Sequence, residues 1–132
     1  MTHLIDHQDE IYPRLGELGK TMRAAMVRGF SDEGVSANST GSSDDLPSGS
    51  SLGMVHFPHD GDIVIDRPEM VHDPDVCDVA LRDQVLGPAL LLDDVHLVHG
   101  HGAVATAHTE RDMEQLENAC RSVARRIKPY LR

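Results

Sequence analysis

Histidine is the residue whose abundance and spacing first suggest chemistry. Nine of the 132 residues are histidine, and the densest group is His96-x-x-His99-x-His101. Imidazole nitrogens ligate zinc and related metals, so a metal centre is the first chemistry to weigh. On an extended strand His99 and His101 share one face and His96 points to the other, so three-fold ligation requires a bend at Gly100. A structural zinc site normally brings four ligands at a recognisable spacing, and neither Cys77 nor Cys120 lies near enough in sequence to complete one. The expectation is surface or turn histidines, with no metal ligand.

A second group, His56-Phe57-Pro58-His59-Asp60, places a carboxylate where it could orient an imidazole for acid–base work. Nothing nucleophilic sits beside it in sequence, although Ser50 or Ser51 could approach in space. A serine hydrolase also needs an oxyanion hole and a positioned nucleophile, and the chain has no G-x-S-x-G elbow. Gly100-His101-Gly102 belongs to neither a phosphate-binding P-loop nor a dinucleotide fingerprint. The pairs Asp44-Asp45 and Asp93-Asp94 lack the alternating ligands of a calcium loop and read as solvated turns. No residue of the chain is therefore assigned a catalytic, cofactor-binding or metal role.

Composition narrows the partners. Twelve basic residues against 22 acidic ones give a formal net charge of -10, which disfavours a phosphate-binding surface. The local exception is Arg121, Arg125, Arg126, Lys128 and Arg132, a run better suited to complementing a helix C-terminus than to gripping nucleic acid. No apolar stretch approaches the roughly 20 residues that span a bilayer, and Met1 to Glu10 is too polar for a secretory leader. The widely separated Cys77 and Cys120 make no disulfide framework. The expectation is a cytoplasmic protein with no membrane and no nucleic-acid partner. A chain of this length can form one core, necessarily aliphatic because it has no tryptophan.

The elements that must position these residues follow from periodicity. Ile11, Leu15, Leu18, Met22, Ala25 and Met26 recur three or four apart and mark a helix. With Pro13 placed in its first turn, the helix should start near Ile11 or Tyr12 and stop near Gly29, with Glu33-Gly34 as the following turn. Residues 36–51 are serine-rich and read as a mobile loop. Leu52 to Phe57 reads as a strand and Ile63-Val64-Ile65 as a second, joined by a turn at residues 59–62. Asp73 or Asp75 should cap a helix that Gly87-Pro88 kinks. Val95–Val98 and Ala103–Thr106 suggest further short strands. Thr109-Glu110-Arg111-Asp112 opens a last helix with a capping box, and Pro129 closes it. The chain divides into an N-terminal helix (1–35), a serine-rich loop (36–51) and an α+β body (52–132). The fold class is α+β, a small antiparallel or mixed sheet covered by helices on one face.

Three segments carry a resemblance. Tyr12-Pro13-Arg14-Leu15-Gly16-Glu17-Leu18-Gly19-Lys20-Thr21-Met22-Arg23 is similar to the helix by which class III pyridoxal-phosphate-dependent aminotransferases leave their large domain. Gly49-Ser50-Ser51-Leu52-Gly53-Met54-Val55-His56-Phe57 resembles that family's glycine-serine turn and following strand. Ala105-Thr106-Ala107-His108-Thr109-Glu110-Arg111-Asp112-Met113 resembles its small-domain strand and helix start. Within the family the chain looks most like the glutamate-1-semialdehyde aminomutase branch, over residues 12–128.

The resemblance implies the C-terminal small domain of a fold-type I pyridoxal-phosphate enzyme, contributing to active-site closure and to packing in a homodimer. It implies a large cofactor-binding domain as partner and no tight binding of pyridoxal phosphate by this chain alone. In the family the Schiff-base lysine, the aspartate on the pyridine nitrogen and most phosphate contacts lie upstream. Lys20 and Lys128, the only lysines here, stand outside that context. The chain departs from the family at Ser39–Ser51 and at His99-Gly100-His101-Gly102, and it lacks the carboxylate-binding arginine of some branches. By itself the chain is then an inactive part of a transaminase or aminomutase. The alternative is a stand-alone binding or oligomerisation module built on the same scaffold.

Overall fold

The computed structural model describes residues 2–41 and 48–131. A short helix α1 (Thr2–Asp6) precedes the long α2 (Gln8–Ser31), then come β1 (Asn38–Thr40), β2 (Leu52–His56), α3 (Leu86–Leu91), β3 (His101–Ala103) and α4 (Glu110–Ile127). The sheet is antiparallel in the order β1-β2-β3, with Asn38 opposite His56 and Met54 opposite His101. The fold is therefore α+β.

Helix α2 begins earlier than its proline suggests. Pro13 lies in the second turn and withholds the N–H that would reach the Asp9 carbonyl, but Asp9 is exposed and water can serve that oxygen. The helix runs on to Ser31, two residues beyond Gly29, and closes through Val35 N–H on Phe30 O (3.1 Å), with Gly34 at φ 76°. Its inner face meets α4 at Gly29, where an added Cβ would stand 2.6 Å from Cys120 Cβ. Met22, Met26 and Phe30 complete that face, and Phe30 meets Phe57 edge-on at 4.9 Å.

The segment leading into β2 lies directly on α2. An added Cβ at Gly16 would fall 1.7 Å from Ser48 O, and one at Gly19 1.9 Å from Ser50 O. One turn further, Arg23 donates to Ser50 O (3.0 Å) and Leu52 O (2.6 Å). Two glycines and an arginine thus dock this backbone along the helix. Part of the expected serine-rich loop is consequently a strand, since Asn38–Thr40 pairs with β2; residues 42–47, including Asp44-Asp45, lie outside the described residues.

Ile63-Val64-Ile65 is not a strand, and Val64 is 75% exposed. Both edges of β2 are occupied by β1 and β3, and this segment pairs with neither of the outer strands. Val95–Val98 is likewise irregular. Val98 and His101 exchange both backbone hydrogen bonds (2.9 and 3.2 Å) around His99 and Gly100, whose φ values of 49° and 77° make a tight hairpin turn ahead of β3. The expected 103–106 strand is displaced to His101–Ala103 for that reason.

Helical structure in the middle of the chain starts at Val79, capped by Asp78 Oδ1 on Leu81 N–H (2.9 Å) rather than by Asp73 or Asp75. Asp73 Oδ1 instead takes Asp75 N–H (2.9 Å) in a turn. A π-helical turn, Leu81–Val85, precedes α3 and shifts its bonding register ahead of Pro88. The capping box of α4 forms as expected, with Thr109 N–H (2.6 Å) and hydroxyl (2.9 Å) on Asp112 Oδ2. The sheet is not covered on one face alone: α2 lies against Gly53 and Gly102, while Arg82 of the π-turn reaches His56 across the opposite face.

Candidate functional site

Among the described residues the two most deeply set polar side chains are His56, fully buried, and Arg82, 2% exposed. A guanidinium has five N–H donors, and here each faces an acceptor. Arg82 Nε and Nη2 grip Asp83 (2.6 and 3.1 Å), Nη1 donates to Val71 O (2.5 Å) and faces His56 Nδ1 (3.4 Å), and Nη2 faces His72 Nδ1 (3.5 Å). A buried arginine is tolerated only when paired and saturated in this way.

Arg82 also settles the state of His56. A guanidinium cannot accept, so Nδ1 keeps its lone pair and Nε2 carries the proton, which it donates to Thr40 Oγ1 at 2.8 Å. Burial first, and the Arg82 charge second, lower the His56 pKa from 6.5 to about 4. Hydrogen bonding to Arg82 holds the Asp83 carboxyl below its ordinary value. His72, His99 and His101 are exposed around this pair. With every donor of Arg82 engaged and His56 sealed, the cluster joins three parts of the chain and leaves no group free to attack a substrate.

The groupings suggested by sequence are dispersed. His99 sits in the hairpin turn and His101 on β3, whereas His96 borders a cleft of about 200 Å³ floored by Met22, Leu97 and Leu116 and flanked by His108. Among the described residues no cluster of histidine, cysteine and acidic side chains is arranged to hold a metal. Asp60 does not orient an imidazole, because its Oδ1 accepts Asp62 N–H (3.0 Å), and His59 Nε2 donates to Pro74 O (3.0 Å). Ser50 Oγ caps Leu52 N–H (3.1 Å) and its carbonyl faces Arg23.

The basic C-terminal run serves neither a phosphate nor chiefly the helix dipole. Arg121 grips Asp32 (2.7 Å) and Glu117, Arg125 pairs with Glu33 (2.7 Å), Arg126 with Asp93, and Lys128 Nζ donates to Glu33 O (2.8 Å). Arg132 lies outside the described residues. Asp93 is thus an ion-pair partner, and Asp94, at φ 59°, is an exposed turn residue.

Arg82 and Thr40 were not singled out by motif. A signal existed for Arg82: it shares the helical stripe of Val79, Leu86 and Leu90, an apolar face on which an arginine is out of place. Thr40 had none, because its role depends on the pairing of β1 with β2.

The chain matches no family model, no curated protein and no solved structure.

Neither lysine of the chain offers a Schiff-base site for pyridoxal phosphate. Lys20 is exposed on α2 and Lys128 is tied to a backbone carbonyl at the surface, so neither occupies the desolvated setting that a Schiff-base lysine requires. No helix among the described residues is long and apolar enough to cross a membrane.

Proposed function

We propose that this chain is the small, closing domain of a class III pyridoxal-phosphate-dependent aminotransferase or aminomutase, and that the cofactor chemistry belongs to a large domain or subunit with which it associates. One observation carries the reading: the three segments that resemble that family, far apart in sequence, meet on one side of the fold. Arg14 Nε, in the first segment, donates to Thr106 O of the third (3.2 Å). Gly16, Gly19 and Arg23, also in the first, hold the backbone of the second at Gly49, Ser50 and Leu52. Val104, next to the third segment, donates to Ser51 O in the second (3.0 Å). Segments retained to build one functional surface are expected to converge in this manner, since each needs the others to hold its position.

The reading also accounts for apolar side chains left uncovered. On the sheet face opposite α2, Leu52 is 57% exposed and stands across from the exposed Ala103, while Ile5 and Tyr12 are exposed on the first two helices. An inter-domain surface carries such residues until its partner is in place. The same side chains favour the second reading, a self-associating module, in which a second copy covers them.

The deciding experiment isolates the native product from source cells with an antibody raised against this chain, then measures its mass and its borohydride-reducible pyridoxal content. A product or stable complex several-fold heavier than 14.5 kDa that carries pyridoxal phosphate supports the first reading. A pyridoxal-free assembly of 14.5 kDa copies overturns it in favour of the second.

A further inference from the structure

Residues 59–76 form a strap that is closed at its base, passes Ser36 at Gly61 and is hydrogen-bonded in its middle through Arg82. At the base, Asp78 N–H donates to Phe57 O (2.8 Å) and His59 N–H to Val76 O (3.0 Å). Between those ends Val71 is the one buried residue, and its carbonyl takes Arg82 Nη1 at 2.5 Å. His72, the next residue, faces Arg82 Nη2. The same guanidinium bears on His56 in the centre of the sheet. Arg82 is therefore a bolt between the strap and β2, and the bolt fits only while His56 Nδ1 is bare.

We propose that His56 is the proton-sensitive catch of this strap: a proton taken up from solvent at Nδ1 turns Arg82 out of its seat and lifts residues 59–76 off the sheet. The new N–H would oppose a guanidinium N–H, so two donors and two positive charges would share one buried contact. Every titratable or charged neighbour of the ring bears on this balance. Arg82 comes from the π-turn, His72 from the 3-10 turn Pro68–His72 and His101 from β3, and all three oppose the proton. Asp83 alone favours it, and its carboxylate is already engaged by Arg82.

The direction with pH follows from burial. The closed form resists protonation until about pH 4, whereas an opened, solvated ring takes its proton near 6.5. Above 6.5 neither form is charged and the strap stays shut. As pH falls from 6.5 towards 4 only the open form gains a proton, so opening grows by up to about tenfold per pH unit. Below that window both forms are protonated and the dependence ends.

Backbone hydrogen exchange on the whole chain, corrected for intrinsic rates, tests this between pH 7.5 and 4.5. Met70, Asp73 and Cys77 amides report the strap, and Val123 and Ala124 amides report the core. Opening of the strap should rise steeply below pH 6.5 while the α4 amides stay at least a hundredfold better protected. In His56→Gln, whose amide can still donate to Thr40 and accept from Arg82 but does not titrate, the strap slope should vanish. A slope retained in that variant, or strap and core opening together, overturns the proposal. Should the variant fail to fold, ring nitrogen shifts in the unaltered protein decide: protonation of His56 must coincide with strap opening, and a charged ring beneath a protected strap overturns the latch.

Discussion

At the scale of single residues, close contacts override intrinsic preferences. Alanine is favoured over glycine inside a helix by about 1 kcal/mol, so Gly19→Ala would stabilise α2 on propensity alone. The Ser50 carbonyl oxygen stands 1.9 Å from where the new Cβ must go, and it belongs to a backbone also held by Arg23. Overpacking of this kind typically costs about 1–3 kcal/mol, and the steric term wins. Urea denaturation should show a lower midpoint for Gly19→Ala; a midpoint at or above that of the unaltered protein would mean that the segment yields. Neither this contact nor the Arg82–His56 pair was legible as a motif, because each joins residues distant in sequence. Arg82 betrayed itself only as an arginine on an apolar stripe.

Among the elements, those carrying their own signal were readable. The α4 capping box, the long α2 and strand β2 depend on local pattern and nearby side chains, and all three are found. Boundaries set by competition were not. Asp73, Asp75 and Asp78 are all suitable caps by type, and Asp78 holds the role because Phe57 O anchors its N–H beside the first helical turn. Asp78→Ala should therefore destabilise the protein by about 1 kcal/mol, whereas Asp75→Ala at an exposed turn should stay within about 0.5 kcal/mol. Equal thermal unfolding of the two variants would contradict this assignment. Strand β1 was missed because Asn38-Ser39-Thr40 has little strand preference of its own; its partner β2 and the Thr40–His56 hydrogen bond supply what the residues lack. Ile63-Val64-Ile65 shows the converse, strong strand preference in a segment that joins no strand of the sheet.

For the whole molecule, the crossing of α2 and α4 is the main closure, tight at Gly29 and bordered by Arg28–Glu117, Arg121–Asp32 and Arg125–Glu33 ion pairs. Such exposed pairs each contribute little, so the closure rests mainly on the apolar seam. Cys120 lies in that seam with its thiol pushed up to about 12 by burial, and burial also raises Cys77. Both thiols should remain silent towards an aromatic disulfide reagent at pH 8 and react only as fast as the protein opens; prompt native-state labelling of Cys120 would refute a closed seam. Sequence alone determined the α+β class, the principal helices and the aliphatic core, since hydrophobic period and capping chemistry act over a few residues and need no partner. Tertiary structure decided which strands pair, which aspartate caps, where the basic residues spend their charge, and that a buried arginine bolts a strap to the sheet. The physical reason is common to all of these: a hydrogen bond or ion pair is assigned by competition among many suitable partners, and only the packed chain determines which of them lie within 3 Å.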